Sequence, residues 1–415
     1  MIRAYPRDVT VRAGGTLVLH VATDAAQFRV RFFRAGAGYE PVDAANDRWL
    51  PGEARAGAGC DTPWTWPPYE FRIPAQWRGG AYIARCETTA DIPGAMTPDA
   101  RSETALFVVR TARVAPIAVN LPLFTYHAYN TADVDGTRGG PEGDCLYTGP
   151  RAVTLQRPGG GTGGHLWDEV HRDAYDAATP RQTFAHWDAK ALGWLERAGY
   201  DVDVVTDLDL HEGDALLGRR LLVAFGHQEY WTRAMRDAVE RHTAAGGNVA
   251  FFSGNTAYFR VRYDERRRAI VRDGKWSDDE PEEQFTGTSY RFGGGRWRGA
   301  RPATGYAVTA RDHWAFAKTG LAVGDGFGAS ERLVGYECDG RPPNGVAEVL
   351  ARAPLAQWAT DDNGEVFGDV ATMTLLTLGR GYVFNAGTVD WPRVLAAGES
   401  VIDRITRNVI ERLSA

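Results

Sequence analysis

The pattern of hydrophobic and polar positions changes near residue 112, and the change predicts two architectures in one chain. Before that point, short apolar runs are separated by glycine-containing turns, and residues 28–33 alternate between apolar and polar side chains. Alternation with a period of two is typical of strands with one exposed face. Residues 1–112 are therefore predicted to form an immunoglobulin-like β-sandwich with a structural or accessory role.

After residue 112, continuous apolar runs alternate with amphipathic segments of helical period. Strands are predicted at residues 116–123, 202–205, 221–225, 248–255 and 382–385, and helices at residues 189–198, 233–245 and 401–413. Strands that alternate with helices predict a doubly wound, mostly parallel sheet, here within residues 113–415. Residues 260–370 are charged and rich in glycine, and we interpret them as a β-rich insertion that folds over this sheet.

The turn after the strand at residues 221–225 holds the first candidate site. Gly226 ends the strand, Thr232 can cap the following helix, and His227 and Glu229 lie between them. Open α/β sheets carry their chemistry at the carboxyl ends of their strands. A histidine and a carboxylate at such a turn form a candidate site, although a capping carboxylate beside a loop histidine gives the same pattern.

The composition restricts the classes of partner. A formal net charge of −6 argues against nucleic acids and anionic membranes as partners. The chain contains no run of about 18 apolar residues that could span a bilayer. Its first residues lack the apolar core of a signal peptide, which favours a cytoplasmic location. Cys60, Cys86, Cys145 and Cys338 form no CxxC pair, so zinc-ribbon and dithiol chemistry are disfavoured, while a Cys60–Cys86 disulfide stays open.

Several familiar catalytic arrangements are missing from the sequence. No serine or cysteine stands at the crest of the turn at residues 226–231, which disfavours a nucleophilic triad of the glutamine-amidotransferase type despite the similar layout. The sequence contains no HExxH motif, which disfavours a zinc hydrolase of that type. The glycine-rich residues 158–164 lack the lysine of a phosphate-binding loop. Asp207, Asp209, His211 and Glu212 form an acidic cluster that we interpret as helix capping rather than as a metal site.

Oxygen ligands offer another kind of chemistry. Tyr126, Tyr129 and Tyr147 lie in a long irregular segment, residues 125–182, and segments of this kind are usually functional. A tyrosine ordinarily packs its ring and uses its hydroxyl for one hydrogen bond. A hard cation, however, stabilises the phenolate form and selects anionic oxygen ligands.

Five sequence motifs together resemble the large (beta) subunit of N,N-dimethylformamidase and its relatives. They are residues 128–130, 146–147, 226–231, 253–258 and 385–391. The resemblance covers most of residues 113–415, and the β-rich start looks like the domain that precedes the catalytic part in shorter relatives. The resemblance implies a catalytic α/β domain with a layout like that of glutamine amidotransferases. This chain is shorter than those proteins, and Thr148, Gly149 and Pro150 follow its Tyr147 motif.

The resemblance also implies a metal site and an activity. In that family, one iron ion is held by two tyrosines and one glutamate, and a small amide is hydrolysed. Carried over by motif, the ligands are Tyr129, Tyr147 and Glu229, with Tyr126 as the alternative to Tyr129. The implied cofactor is Fe³⁺ or another hard cation, and the implied substrate is a small amide.

Three further residues are expected around the metal ligands. Glu337 or His227 would accept the proton of the attacking water, and Asn255 would donate a hydrogen bond to the developing oxyanion. The expected pocket walls are aromatic: Trp167, Trp231, Tyr258 and Trp391.

Two other functions stay open. The 13 tryptophans and the accessory sandwich would also suit a non-catalytic protein that binds glycans or other ligands. A hydrolase of an ester or of another C–N bond could use the same ion. A homo-oligomer and a small partner subunit are both compatible with the sequence.

Overall fold

The computed structural model describes residues 2–42, 48–88, 102–130, 146, 152–159, 183–295, 303–355 and 368–415. Within these residues the protein is mixed α/β, and sheet is the larger part. None of the described helices is long and apolar enough to cross a bilayer.

The strands follow one another in the order β1 (Ile2–Pro6), β2 (Thr10–Arg12), β3 (Thr16–Thr23), β4 (Gln27–Ala35), β5 (Tyr39–Pro41), β6 (Leu50–Pro51), β7 (Pro68–Arg72), β8 (Gly80–Thr88), β9 (Ser102–Arg110), β10 (Ile117–Leu121), β11 (Ala152–Thr154), β12 (Val202–Thr206), β13 (Leu221–His227), β14 (Tyr230–Thr232), β15 (Asn248–Gly254), β16 (Phe259–Asp264), β17 (Ala269–Lys275), β18 (Ser289–Gly294), β19 (Tyr306–Val308), β20 (Gly326–Phe327), β21 (Cys338–Gly340), β22 (Glu348–Pro354), β23 (Val370–Leu378) and β24 (Gly381–Asn385). The helices are α1 (Leu123–Ala128), α2 (Asp188–Arg197), α3 (Asp207–Glu212), α4 (Arg233–Ala244), α5 (Glu283–Thr286), α6 (Trp391–Ala396) and α7 (Ser400–Ser414).

Two sheets make up the β-rich first part of the chain. One has the strand order β1-β3-β7, and the other has the order β2-β9-β8-β4-β5 with β6 beside β4. Leu17 and Phe71 from the first sheet share one apolar cluster with Val30 and Phe107 from the second. The alternation predicted over residues 28–33 is present in β4, but the opposite face of that strand is also used. Phe33 belongs to the core of the α/β part, so the second sheet packs on both of its faces.

A nine-stranded sheet forms the centre of the α/β part. Its strand order is β12-β10-β13-β15-β24-β23-β22-β19-β20, and neighbouring strands are parallel from β12 to β24. The strands from β23 to β20 pair antiparallel. The prediction that residues 260–370 fold over the sheet is wrong for β19, β20 and β22, because these strands extend the sheet edge. The likeness to a glutamine-amidotransferase layout stays a prediction.

The central strands are apolar throughout because both faces of the sheet are covered. In β13, Leu221, Val223 and Phe225 contribute to one core, and Leu222 and Ala224 contribute to the other. The first core includes apolar residues of α2, α6 and α7, and the second includes those of α3 and α4. A continuous apolar run is the expected sequence of a strand buried on both sides.

The cysteine question that the sequence left open is answered by the structure. Cys60, Cys86 and Cys338 are buried, and no disulfide joins Cys60 to Cys86. Cys145 lies outside the described residues.

Candidate active site

The candidate site lies at the carboxyl end of β13, where the chain turns into β14. Gly226 has φ +63°, and a Cβ atom there would stand 2.7 Å from the Cβ of Trp187, so this position requires glycine. Thr232 caps α4, as predicted, by accepting a hydrogen bond from the Met235 amide. The strand β14 nevertheless intervenes, so His227 ends β13 and Glu229 lies between two strands rather than in a direct strand-to-helix turn.

Helix α1 and its C-terminal cap hold Glu229 at two points. The Thr125 hydroxyl accepts hydrogen bonds from the backbone N–H of Glu229 at 3.1 Å and from that of Tyr230 at 3.3 Å. The Tyr129 hydroxyl donates to Glu229 Oε2 at 2.8 Å. Because residues four apart share one side of a helix, Thr125 and Tyr129 reach the same glutamate. Tyr126 instead donates its hydroxyl to the buried Asp188.

Asn255 follows β15 and connects the glutamate to the histidine. Its Nδ2 donates to Glu229 Oε1 at 3.1 Å and lies 3.2 Å from His227 Nε2. Its φ of +48° is left-handed, a conformation that asparagine tolerates better than most residues. Within the described residues, Asn255 Oδ1 is buried without a hydrogen-bond partner.

Glu337 completes the cluster from the segment before β21. Its Oε2 lies 2.9 Å from His227 Nε2, and the same nitrogen lies 3.4 Å from Glu229 Oε2. A Cβ atom at Gly254 would overlap the Glu337 carbonyl oxygen, so glycine allows the two segments to approach. One histidine nitrogen therefore faces two carboxylates at the rim of the sheet.

The electrostatics of the cluster favour proton transfer near neutral pH. Burial raises the pKa of Glu229 to about 7; the charge of His227 opposes this shift and that of Glu337 adds to it. Burial lowers the pKa of His227, but the neighbouring Glu337 and Glu229 outweigh it, and the net direction is upward. Both pKa values are therefore shifted upward, and perturbed pKa values of this kind cluster at functional sites.

The structure brings most of the candidate residues together. Tyr129, His227, Glu229, Asn255 and Glu337 form one hydrogen-bonded cluster. Tyr147 lies outside the described residues, and so does Trp167.

Two of the expected pocket walls are core residues instead. Trp231 packs against Phe251 and Phe285, and Trp391 is fully buried and donates its indole N–H to Thr406. Trp231 lies within β14 and Trp391 begins α6, and each side chain belongs to one of the two apolar cores of the sheet. Tyr258 is nearly buried against the ring of Tyr290.

The acidic cluster at residues 207–212 has a structural role. It forms the short helix α3, in which Thr206 and Asp209 make a reciprocal capping box. Asp207 accepts hydrogen bonds from the Phe124 amide and from Asn120. These bonds agree with the interpretation as capping.

The residues that hold the candidate site's side chains in place were not predicted. Thr125 and Asp339 both contact backbone N–H groups at the site. A signal existed for each of them, since Thr125 is one helical turn before Tyr129 and Asp339 is two residues after Glu337. Trp187 was missed because its contact with Gly226 depends on the packing of α2 against β13.

The donor set fits a hard metal ion rather than a soft one. Tyr129 and Glu229 present two oxygens 2.8 Å apart, and phenolate and carboxylate oxygens are ligands that hard cations select. In the described parts of the chain, no group of three His, Cys, Asp or Glu side chains has metal-binding geometry.

The fold and the site together define a mixed α/β protein with a buried acid–base cluster at the rim of its parallel strands. The model of the N,N-dimethylformamidase beta subunit-like family, C-terminal part, matches residues 51–403. The chain belongs to this family, and the resemblance inferred from its five motifs is confirmed.

Two relatives support the same assignment at modest identity. The N,N-dimethylformamidase beta subunit of Paracoccus aminophilus is 27% identical over 277 residues, which are 54% of this chain and 36% of that protein. The N,N-dimethylformamidase beta subunit of Alcaligenes sp is 29% identical over 195 residues, which are 38% of this chain and 25% of that protein. The matched part of the chain thus spans only about a quarter to a third of the length of these relatives.

Solved structures give weaker likenesses. The mmIFT52 N-terminal domain aligns with a TM-score of 0.33 and 14% identity, covering 55% of this chain and 90% of that one. The exo-beta-1,4-mannosidase Op5Man5 from Opitutaceae bacterium strain TAV5 aligns with a TM-score of 0.31 and 12% identity, covering 72% of this chain and 35% of that one. Scores this low do not establish a shared fold.

Proposed function

We propose that this chain is the catalytic polypeptide of a metal-dependent hydrolase that cleaves the C–N bond of a small linear amide, with ferric iron as the first choice of metal. The observation that carries the proposal is the buried cluster in which Tyr129, Asn255 and His227 surround Glu229. Membership of the N,N-dimethylformamidase beta subunit-like family supports it.

Tyr129 and Glu229 would hold the metal ion, and Tyr147, which lies outside the described residues, would be the third ligand. When bound, such an ion polarises the amide carbonyl and lowers the pKa of a water molecule beside it. Glu229 is nearly fully buried, so a cation beside it would offset the unfavourable burial of its charge.

The remaining residues would move the proton and orient the ligands. Glu337 or His227 would accept the proton of the attacking water and return it to the departing amine. The contact of 2.9 Å between Glu337 Oε2 and His227 Nε2 lets the pair share that proton. Asn255 already donates Nδ2 to Glu229 Oε1 and lies 3.2 Å from His227 Nε2, so a hydrogen bond to the oxyanion would take the N–H that faces His227 in this structure.

The relatives carry the name beta subunit, and this name supports a further part of the proposal, that the chain works in an assembly with other polypeptides. The cytoplasm is the predicted compartment.

Metal analysis combined with an amide screen tests the proposal. The wild-type protein is expected to contain iron, to show a visible phenolate-to-iron charge-transfer band, and to release amine from short-chain amides. Glu229→Ala should lose the metal, the colour and the activity together. Glu282→Gln changes another buried glutamate, which bonds to Ser289, and should keep all three.

Equal activity in wild type and Glu229→Ala would remove Glu229 from the mechanism. A colourless wild-type protein that contains no metal and binds small molecules without cleaving them would instead favour the non-catalytic binding protein. Release of alcohol from esters in place of amine from amides would indicate the other hydrolase.

A further inference from the structure

Asp339 is a fully buried carboxylate beside the cluster, with no direct contact to Glu229 in the described structure. Its Oδ1 accepts a hydrogen bond from the backbone N–H of Asn255 at 2.7 Å, and its Oδ2 accepts one from the backbone N–H of Thr256 at 3.3 Å. Burial raises the pKa of Asp339 to about 7, which shows that the charged form is unfavourable there. The two hydrogen bonds to the turn after β15, together with one from the Thr256 side chain and the charge of His227, oppose this effect of burial.

These two hydrogen bonds act on the backbone where it is strained. Asn255 has φ +48°, and Ala257, two residues later, has φ +55°. Non-glycine residues in the left-handed region persist only where the surroundings hold them. Because the backbone angles at position 255 set the direction of its side chain, holding the N–H groups of Asn255 and Thr256 also aims the amide at Glu229.

The same short segment positions a second member of the cluster. Glu337, which has φ +36°, lies two residues before Asp339. Glu337 contacts His227, while Asp339 holds Asn255. The segment is itself anchored, since the Asp339 N–H donates to the Gly387 carbonyl at 3.0 Å.

We propose that Asp339 is a positioning residue for the hydrolytic reaction, because it locks Asn255 in the left-handed conformation in which the Asn255 amide orients both Glu229 and His227. The inference rests on the proposed function and assigns no direct contact with substrate to Asp339. Misplacement of a reacting group by about 1 Å can lower a rate about 100-fold. Asp339→Asn keeps the size of the side chain but turns one acceptor into a donor that opposes an N–H group.

A double-mutant cycle separates positioning from a general effect on the fold. Asp339→Asn is expected to lower kcat for amide hydrolysis about 10- to 100-fold with little change in KM. Asn255→Gly removes the amide and suits the positive φ. In the Asn255→Gly background, Asp339→Asn should lower kcat no further, because the side chain through which it acts is gone. Glu282→Gln, the matched buried control, should leave kcat unchanged in both backgrounds.

Equal reductions of kcat by Asp339→Asn with and without the Asn255 amide would overturn the proposal, as would an unchanged kcat in the single variant. If Asp339→Asn does not fold, Asp339→Ser, which keeps a hydroxyl acceptor, replaces it in the cycle.

A crystal structure of the Asp339 variant provides a readout that needs no activity. The Asn255 amide is expected to move away from Glu229 Oε1, and an unmoved amide would refute the positioning role. If wild type hydrolyses no amide, the proposed function fails while this structural comparison still decides whether Asp339 positions Asn255.

Discussion

Tyr126 and Tyr129 provide a matched pair of substitutions, because each phenol donates a hydrogen bond to a buried carboxylate. Tyr126 bonds to Asp188, and Tyr129 bonds to Glu229 at 2.8 Å. Replacing either tyrosine by phenylalanine removes one donor and leaves a buried acceptor with fewer partners, which destabilises a protein by about 1–3 kcal/mol. Both variants are therefore expected to lower the free energy of unfolding by similar amounts.

The activities of the two variants should differ strongly. Tyr129→Phe removes a proposed metal ligand, and the loss of groups at a metal site lowers affinity or activity by about 100-fold or more. Tyr126→Phe leaves Glu229 and its partners in place, so its kcat/KM should stay within about threefold of wild type. Denaturant unfolding, iron content and the rate of amine release would be measured on both proteins. Equal activities would refute the assignment of Tyr129, and inactivity of Tyr126→Phe alone would shift the assignment to Tyr126.

Two further predictions concern stability. Burial raises the pKa of Asp188 to about 8 in the folded protein. Between about pH 5 and 7 the folded state therefore binds one proton more than the unfolded state. The free energy of unfolding then falls as the pH rises. In denaturant unfolding, the stability of Asp188→Asn relative to wild type should therefore increase by about 1.4 kcal/mol per pH unit over this range, and parallel pH profiles would contradict the shift. The free energy of unfolding of Gly226→Ala should be lower than that of Gly199→Ala by about 1–3 kcal/mol. Both positions have positive φ, but only the new Cβ at position 226 would meet Trp187. Equal melting behaviour of the two variants would show that the Trp187 contact is not limiting.

The sequence predicted the central strands well because their apolar runs are continuous. The predicted strand at residues 202–205 is β12, the strand at residues 221–225 lies within β13, and the helix at residues 189–198 differs from α2 by one residue at each end. The insertion at residues 260–370 was harder to interpret. A short strand-like sequence suits both a strand in a separate layer and a strand at the edge of an existing sheet. Hydrogen bonding of β22 to β23 decides this, and it joins residues distant in sequence.

The candidate site shows the same division. By itself, the sequence determined the residue types at the carboxyl end of β13 and the family, because both depend on short motifs with fixed spacing. Only the tertiary structure decided that Tyr129 rather than Tyr126 contacts Glu229, that Trp231 and Trp391 belong to the core, and that Asp339 holds the Asn255 turn. Each of these contacts joins a side chain on one element to a residue on another. Its geometry is fixed only when the two elements pack together.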